Sequence, residues 1–288
     1  MLNPVDLTIE ALIRELRDGY RRTWGDLEPE YPSIIAWAAS SVLEVIARSD
    51  ALYHDVEHTV LITLVGQELM RGQHVKQGGV TPGDWLQVMV SLLCHDIGYV
   101  RGVCRRDSGL DCATGNGDEI VTLAEGASDA ALTPWHVERG KLFVEERFSG
   151  NPLIDVECVK RNIQGTRFPV PADEDARALA GYPSLVRAAD LIGQLSDPRY
   201  LMKIPALFYE FEEMGVNRRL GYRHPGDLRR NYPRFYWACV HPYIREMLDV
   251  LVLTQRGLQI RANLFSNVFM VEHETGFEAS GVRPGQTS

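Results

Sequence analysis

Three short stretches of this chain carry side chains suited to metal chemistry. The first is Tyr53-His54-Asp55-Val56-Glu57-His58, where two imidazoles stand four residues apart. On a helix that spacing puts them on one face, about 6 Å apart along the axis. Taken alone, such a pair also serves as a capping or surface pair. The second is Leu92-Leu93-Cys94-His95-Asp96-Ile97-Gly98-Tyr99, a His-Asp dipeptide closing an apolar run. Adjacent helix positions point about 100° apart, so His95 and Asp96 meet one ion only at a corner between helices. An ionised carboxylate buried beside apolar residues needs a cation, a metal or several donors. A cap, or an ion pair with Arg101, Arg105 or Arg106, would also satisfy it. The third is Val186-Arg187-Ala188-Ala189-Asp190-Leu191-Ile192-Gly193, an aspartate within an apolar helical stretch. Its alternative is pairing with Arg187, one turn earlier. Together His58, His95, Asp96 and Asp190 supply two imidazoles and two carboxylates. Borderline divalent ions such as Zn²⁺, Mn²⁺, Fe²⁺ or Co²⁺ accept that mixture, whereas Ca²⁺ prefers oxygen alone. Four protein ligands leave positions on an octahedral ion where water is acidified for attack.

The elements that must position these residues read as helices. Apolar residues recur at three- and four-residue steps over 33–48 and over 54–71, the second segment beginning at His54. Thr81 and Pro82 suit the N-cap and first position of a helix that runs to about Asp96 and ends at Gly98. Residues 101–132 are rich in Gly, Asp and Ser and predict a long loop with at most a short element at Glu119–Leu123, facing substrate. Helical periodicity returns over 134–148, 153–164, 182–195, 198–213, 228–252 and 255–269, with Pro205 and Pro242 expected to kink or divide two of these. Residues 173–180 suit a polar loop or short helix. No alternating strand pattern and no fixed-period repeat is apparent. The expectation is an all-α fold, one helical domain over 1–273, and a flexible tail over 274–288.

The whole chain narrows the function. Its 288 residues are 45% hydrophobic and 24% charged, enough for a sizeable core in a soluble protein. A formal charge of −9 argues against a nucleic-acid polymer as partner. Five cysteines without a CxxC pair predict free thiols in a reducing compartment. The first ten residues lack the apolar run of a signal peptide, and apolar stretches are broken by charge before the ~20 residues of a membrane span. Cytoplasmic placement and no membrane partner are therefore expected. The late aromatics Phe208, Tyr209, Phe211, Tyr232, Phe235, Tyr236 and Trp237 read as core packing, with a lid or oligomer face as alternatives.

The order H…HD…D on helices resembles the HD-domain metal-dependent phosphohydrolase superfamily. More narrowly, YHDVEH resembles the YHNxxH motif of cyclic-nucleotide phosphodiesterase catalytic domains, with Asp55 where Asn is usual. The stretches CHDIGYVRG, HVERGKLFVEERF and RAADLIGQLSDPRY are similar to bacterial HD-domain proteins described as phosphohydrolases. The resemblance runs from Tyr53 to Asp190, the motif core. It implies an HD-domain/PDEase-like helical bundle with C-terminal helical elaboration. It implies His58 as the first metal histidine, His95 and Asp96 as the HD pair, and Asp190 as the closing ligand. His54 would protonate the leaving oxygen, a role that suits an imidazole. Asp96 would bridge if a second ion is present, and His136 is the candidate ligand of that second site. The phosphodiesterases continue HDxxH, but Tyr99 stands in the last position here, which makes it a candidate for substrate contact. Where a further histidine would follow, the chain reads Arg161-Asn162-Ile163-Gln164.

Guanidinium forks match phosphate oxygens, so Arg101, Arg105, Arg106 and Arg139 are candidate substrate groups, with Lys141 and Arg167 behind them. Gln164, Thr166 and Gln194 complete that set. The expected function is hydrolysis of a nucleotide or a small phosphomonoester or diester. Divalent metal is the cofactor, with Mn²⁺, Mg²⁺, Zn²⁺ and Fe²⁺ not distinguished, and a homodimer is the suggested assembly. The alternatives are a mixed-valent diiron oxygenase of HD type and a non-catalytic, ligand-sensing HD protein.

Overall fold

The structure, a computed structural model, describes residues 3–171 and 180–279. The expectation for residues 173–179, and that for the tail beyond Ala279, lie outside the described residues. Helix α1 (Pro4–Trp24) is capped by Asn3, whose side chain accepts from Val5 N, and buries Ile9, Leu12, Leu16 and Tyr20 at helical spacing. It packs against α2 (Tyr31–Ile46), which turns Ile35, Ala38, Ala39, Val42 and Leu43 inward.

Helix α3 (Val56–Gln77) is buried on most of its circumference, from His58 and Ile62 to Leu69 and Met70. Its start corrects the expected one at His54. Asp55 is extended (φ −113°, ψ −174°) and its carboxylate accepts from His58 N at 2.9 Å. That makes Asp55 the N-cap and leaves His54 before the helix, so the two histidines do not share a helical face.

Helix α4 (Pro82–Cys94) starts where the Thr-Pro pair predicted, with Thr81 as N-cap, and the structure adds a reciprocal capping box between Thr81 and Asp84. It closes two residues earlier than expected. His95 is still helical, but Asp96 adopts φ −105°, ψ 4°, and a 3₁₀ turn follows at Ile97–Tyr99. This break makes the corner that two adjacent ligands require.

The long segment after the corner holds a two-stranded antiparallel hairpin, β1 (Asp111–Ala113) with β2 (Ile120–Thr122), over a small cluster of Cys112, Leu123 and Leu132. The helices α5 (His136–Phe148), α6 (Val156–Gln164), α7 (Tyr182–Ser196) and α8 (Tyr200–Glu213) follow, with Pro205 inside α8 and not dividing it. After the short α9 (Val216–Leu220), α10 (Pro225–Phe235) passes through a π-helical turn at Tyr236–Val240 into α11 (His241–Leu251). Pro242 sits at the start of α11, so the helix expected over 228–252 is divided there. Helix α12 (Gln255–Ala279) extends ten residues past the predicted end.

One buried cluster runs from Ile9 to Val271. Its axis is α3 against α7, and α4, α11 and α12 pack around the pair. Gly193 lets α7 approach closely, since a Cβ there would stand 2.8 Å from Ile62 Cα. Of the late aromatics, Phe208, Tyr232 and Tyr236 are core, while Tyr209 and Trp237 are exposed. All five cysteines are free. Among the described residues, no helix is long and apolar enough to cross a membrane.

Candidate metal centre

The α3–α7 pair and the α4 corner bring His58, His95, Asp96 and Asp190 together. His58 Nε2 and His95 Nε2 lie 3.1 and 3.0 Å from Asp96 Oδ2, and each lies 3.8 Å from Asp190 Oδ1. These distances are short, yet none of the three atoms is aligned with a hydrogen-bond partner: His58 Nε2, His95 Nε2 and Asp96 Oδ2 are buried and unsatisfied. Buried polar atoms are rarely left so, and here the three converge on one point. Two triads close within 4.8 Å, His58/His95/Asp190 and His54/His58/Asp96, and both contain His58.

The local structure prepares these donors. His95 Nδ1 lies 2.7 Å from Leu92 O. A carbonyl only accepts, so Nδ1 carries the proton and Nε2 is the nitrogen aimed at the cluster. The electrostatics are those of an anionic hole. Burial pulls the His95 imidazole down, but the close Asp96 charge, with Asp190 behind, pushes it up to about 9. Against its burial, the Asp96 carboxyl is held well below the usual range by His95 and His58. Burial and the Asp96 charge raise Asp190. Two imidazole nitrogens and two carboxylates, three of whose atoms lack any other partner, fit a borderline divalent cation.

His54 stands beside this cluster with a partner that sequence reasoning missed. Its Nδ1 lies 2.7 Å from Glu210 Oε2, while Glu210 Oε1 accepts from Tyr53 N at 2.7 Å and His54 N at 3.3 Å. Glu210 is buried on α8 and fixes both the ring and its backbone. Burial lowers the His54 imidazole, but the charge and hydrogen bond of Glu210, then Asp96 and Asp190, raise it to about 9. The available signal was an acid at a core-facing position of α8, one turn beyond Leu207. His54 and Asp190 keep 18% and 17% of their side-chain surface exposed, against 5% for His58 and none for His95, so the cluster opens between them.

Tyr99 is packed between two histidines. Its ring stacks on His54 at 4.4 Å and on His136 at 4.5 Å, and its hydroxyl bonds to Thr133. It is buried, and it braces both rings. His136 Nδ1 donates to Thr133 O at 2.6 Å, and burial holds this imidazole down at about 4. It belongs to neither triad found among the described residues.

The remaining predicted substrate groups are engaged elsewhere. Arg101 Nε binds Asp129 at 2.6 Å and its Nη2 binds Asp50 at 2.7 Å. Arg105 is tied to Glu146 and Arg106 to Asp118. Arg139 is wholly buried, and its guanidinium bonds Asp107 and the carbonyls of Gly98, Val100 and Ala113. Gln164 accepts from Lys141, Thr166 bonds to Ile163 O, and Gln194 bonds to Tyr200.

No curated protein and no solved structure matches the chain. The model of the Npun_R2479-like family matches residues 2–274, a span that contains every residue of the candidate centre. The chain belongs to the Npun_R2479-like family.

Proposed function

We propose that this chain is a metal-dependent phosphoester hydrolase of the HD type. The observation that carries the reading is the convergence of His58 Nε2, His95 Nε2 and Asp96 Oδ2, buried and without hydrogen-bond partners, beside Asp190. His58, His95, Asp96 and Asp190 would hold one divalent ion. When bound, the ion acidifies water and offsets the charge that develops on a phosphoryl group. The chain's own residues do the rest. Water oxygen bonds to phosphorus while the bond from phosphorus to the leaving oxygen breaks. His54 gives its proton to that oxygen, and Glu210 keeps the imidazole charged and correctly turned until it does. The proton lost by water goes to solvent, from which His54 regains one. Tyr99 braces the His54 ring by stacking on one face, and the closed walls around His95 limit water in the cluster.

The test is a panel of phosphomonoesters and phosphodiesters with protein loaded with Mn²⁺, Mg²⁺ or Fe²⁺, reading release of phosphate and alcohol. Turnover is expected with at least one ion. Asp96→Ala should abolish both turnover and metal content by elemental analysis. Occupancy that survives Asp96→Ala, or turnover coupled to oxygen uptake, overturns the reading.

A further inference from the structure

We infer that the outward face of α12 is a docking surface for a second copy of this chain, the two helices pairing antiparallel about a twofold axis. The inference is independent of the hydrolase reading. On its inner face α12 buries Gly257, Leu264, Val268 and Val271. Turned about 120° from that face is a second apolar row, Leu258, Ala262, Phe265 and Phe269, with the alternating four- and three-residue steps of a helix–helix seam. Leu258 and Phe269 keep 51% and 58% of their surface exposed. Ala262 is exposed and Phe265 is half-buried. Trp237, on the π-helical turn alongside, is exposed as well, and its Nε1 donates to Glu272 at 2.9 Å. Singly scattered apolar residues are ordinary on a protein surface, whereas a contiguous row marks an interaction face.

The charges name the partner. Arg261 and Glu272 stand on the same edge of the row, one turn before Phe265 and two turns after it. The Arg261 guanidinium lies over the Phe265 ring at 5.7 Å. A twofold axis perpendicular to the plane of two antiparallel helices leaves each edge on its own side and reverses its direction. Arg261 of one copy therefore faces Glu272 of the other, and the contact is made twice. Parallel pairing would set each charge against its like. The midpoint between Arg261 and Glu272 falls within one turn of the midpoint of the apolar row, so one axis serves both sets. An edge complementary to itself suits a copy of the same chain, whereas an anionic lipid surface would be drawn by Arg261 and repelled by Glu272.

Sedimentation equilibrium of the full chain reads the assembly. Wild type should dimerise. Phe269→Lys, Arg261→Glu and Glu272→Arg should each raise the dimer dissociation constant at least about tenfold, with far-UV circular dichroism unchanged. An equimolar mixture of the Arg261→Glu and Glu272→Arg chains should dimerise again, because each mixed pair regains both contacts between opposite charges. A wild type that is monomeric at about 100 μM overturns the inference. So do dimers that none of the substitutions weakens, and a mixture no tighter than its two components. A monomeric wild type that co-sediments with vesicles containing phosphatidylserine also overturns it, and makes the face a membrane surface instead.

Discussion

A histidine binds a metal through a lone pair, and in His95 the carbonyl of Leu92 decides which nitrogen offers it. Because Asp96 holds the His95 proton up to about 9, an incoming ion must displace that proton at neutral pH. Metal uptake should then release about one proton per chain, read by calorimetry in buffers of different ionisation enthalpy. Affinity should rise with pH until about 9, and pH-independent affinity across neutrality would contradict this geometry. Glu210 acts on His54 in a related way. A proton donor is competent only while protonated, and in the proposed role the raised value of about 9 would keep His54 competent through neutral pH. In Glu210→Gln the charge that raises it is gone, so the alkaline limb of kcat/KM should move to lower pH with metal content unchanged. An unmoved limb would separate Glu210 from the proton transfer. The four clustered side chains were legible because they lie in three short motifs of revealing type. Glu210 was not, because its meaning depends on His54, a contact made only when α8 folds back over the start of α3.

At the scale of elements, the centre depends on α3 and α7 lying close enough for His58 and Asp190 to share a point. Gly193, one turn beyond Asp190, faces Ile62, one turn beyond His58, with backbone where a Cβ would go. Gly193→Ala should force the helices apart at a cost of about 1–3 kcal/mol. It should also weaken metal binding, whereas a variant with wild-type melting and affinity would show that the approach can relax. Helix starts marked by local chemistry, such as Thr81-Pro82, were readable in advance. The start of α3 was not, because Asp55 chose the capping role over a helical one and moved His54 outside. The break after α4 was readable as a need for a corner, but not as the particular backbone turn at Asp96. The division near Pro242 was readable from that proline, but the π-helical turn at Tyr236–Val240 that leads into it was not.

At the scale of the molecule, the long segment after the corner is tied to the helices at several points, and one of them is fully buried. Arg139 on α5 uses its buried guanidinium to bind Asp107 and the carbonyls of Gly98, Val100 and Ala113. Asp107 in turn accepts from Cys104 N and Ala113 N. A composition rich in Gly, Asp and Ser reads as loose chain, and tertiary contacts such as this arginine's make it ordered. Arg139→Met would strand a buried carboxylate and should lower unfolding free energy by about 3–5 kcal/mol in denaturant titration; a change under about 1 kcal/mol would show the network to be dispensable. The candidate ligands, too, come from segments far apart in the chain, and an unfolded chain offers no such cluster. An ion held by α3, the α4 corner and α7 is thus a cross-link present only in the folded protein, worth about 2.7 kcal/mol when free metal exceeds the dissociation constant a hundredfold. Melting temperature then becomes a gauge of the ion: it should fall on chelation and lose that response in Asp96→Ala. In a cell, the survival of the folded chain would follow the supply of its metal before any substrate is met.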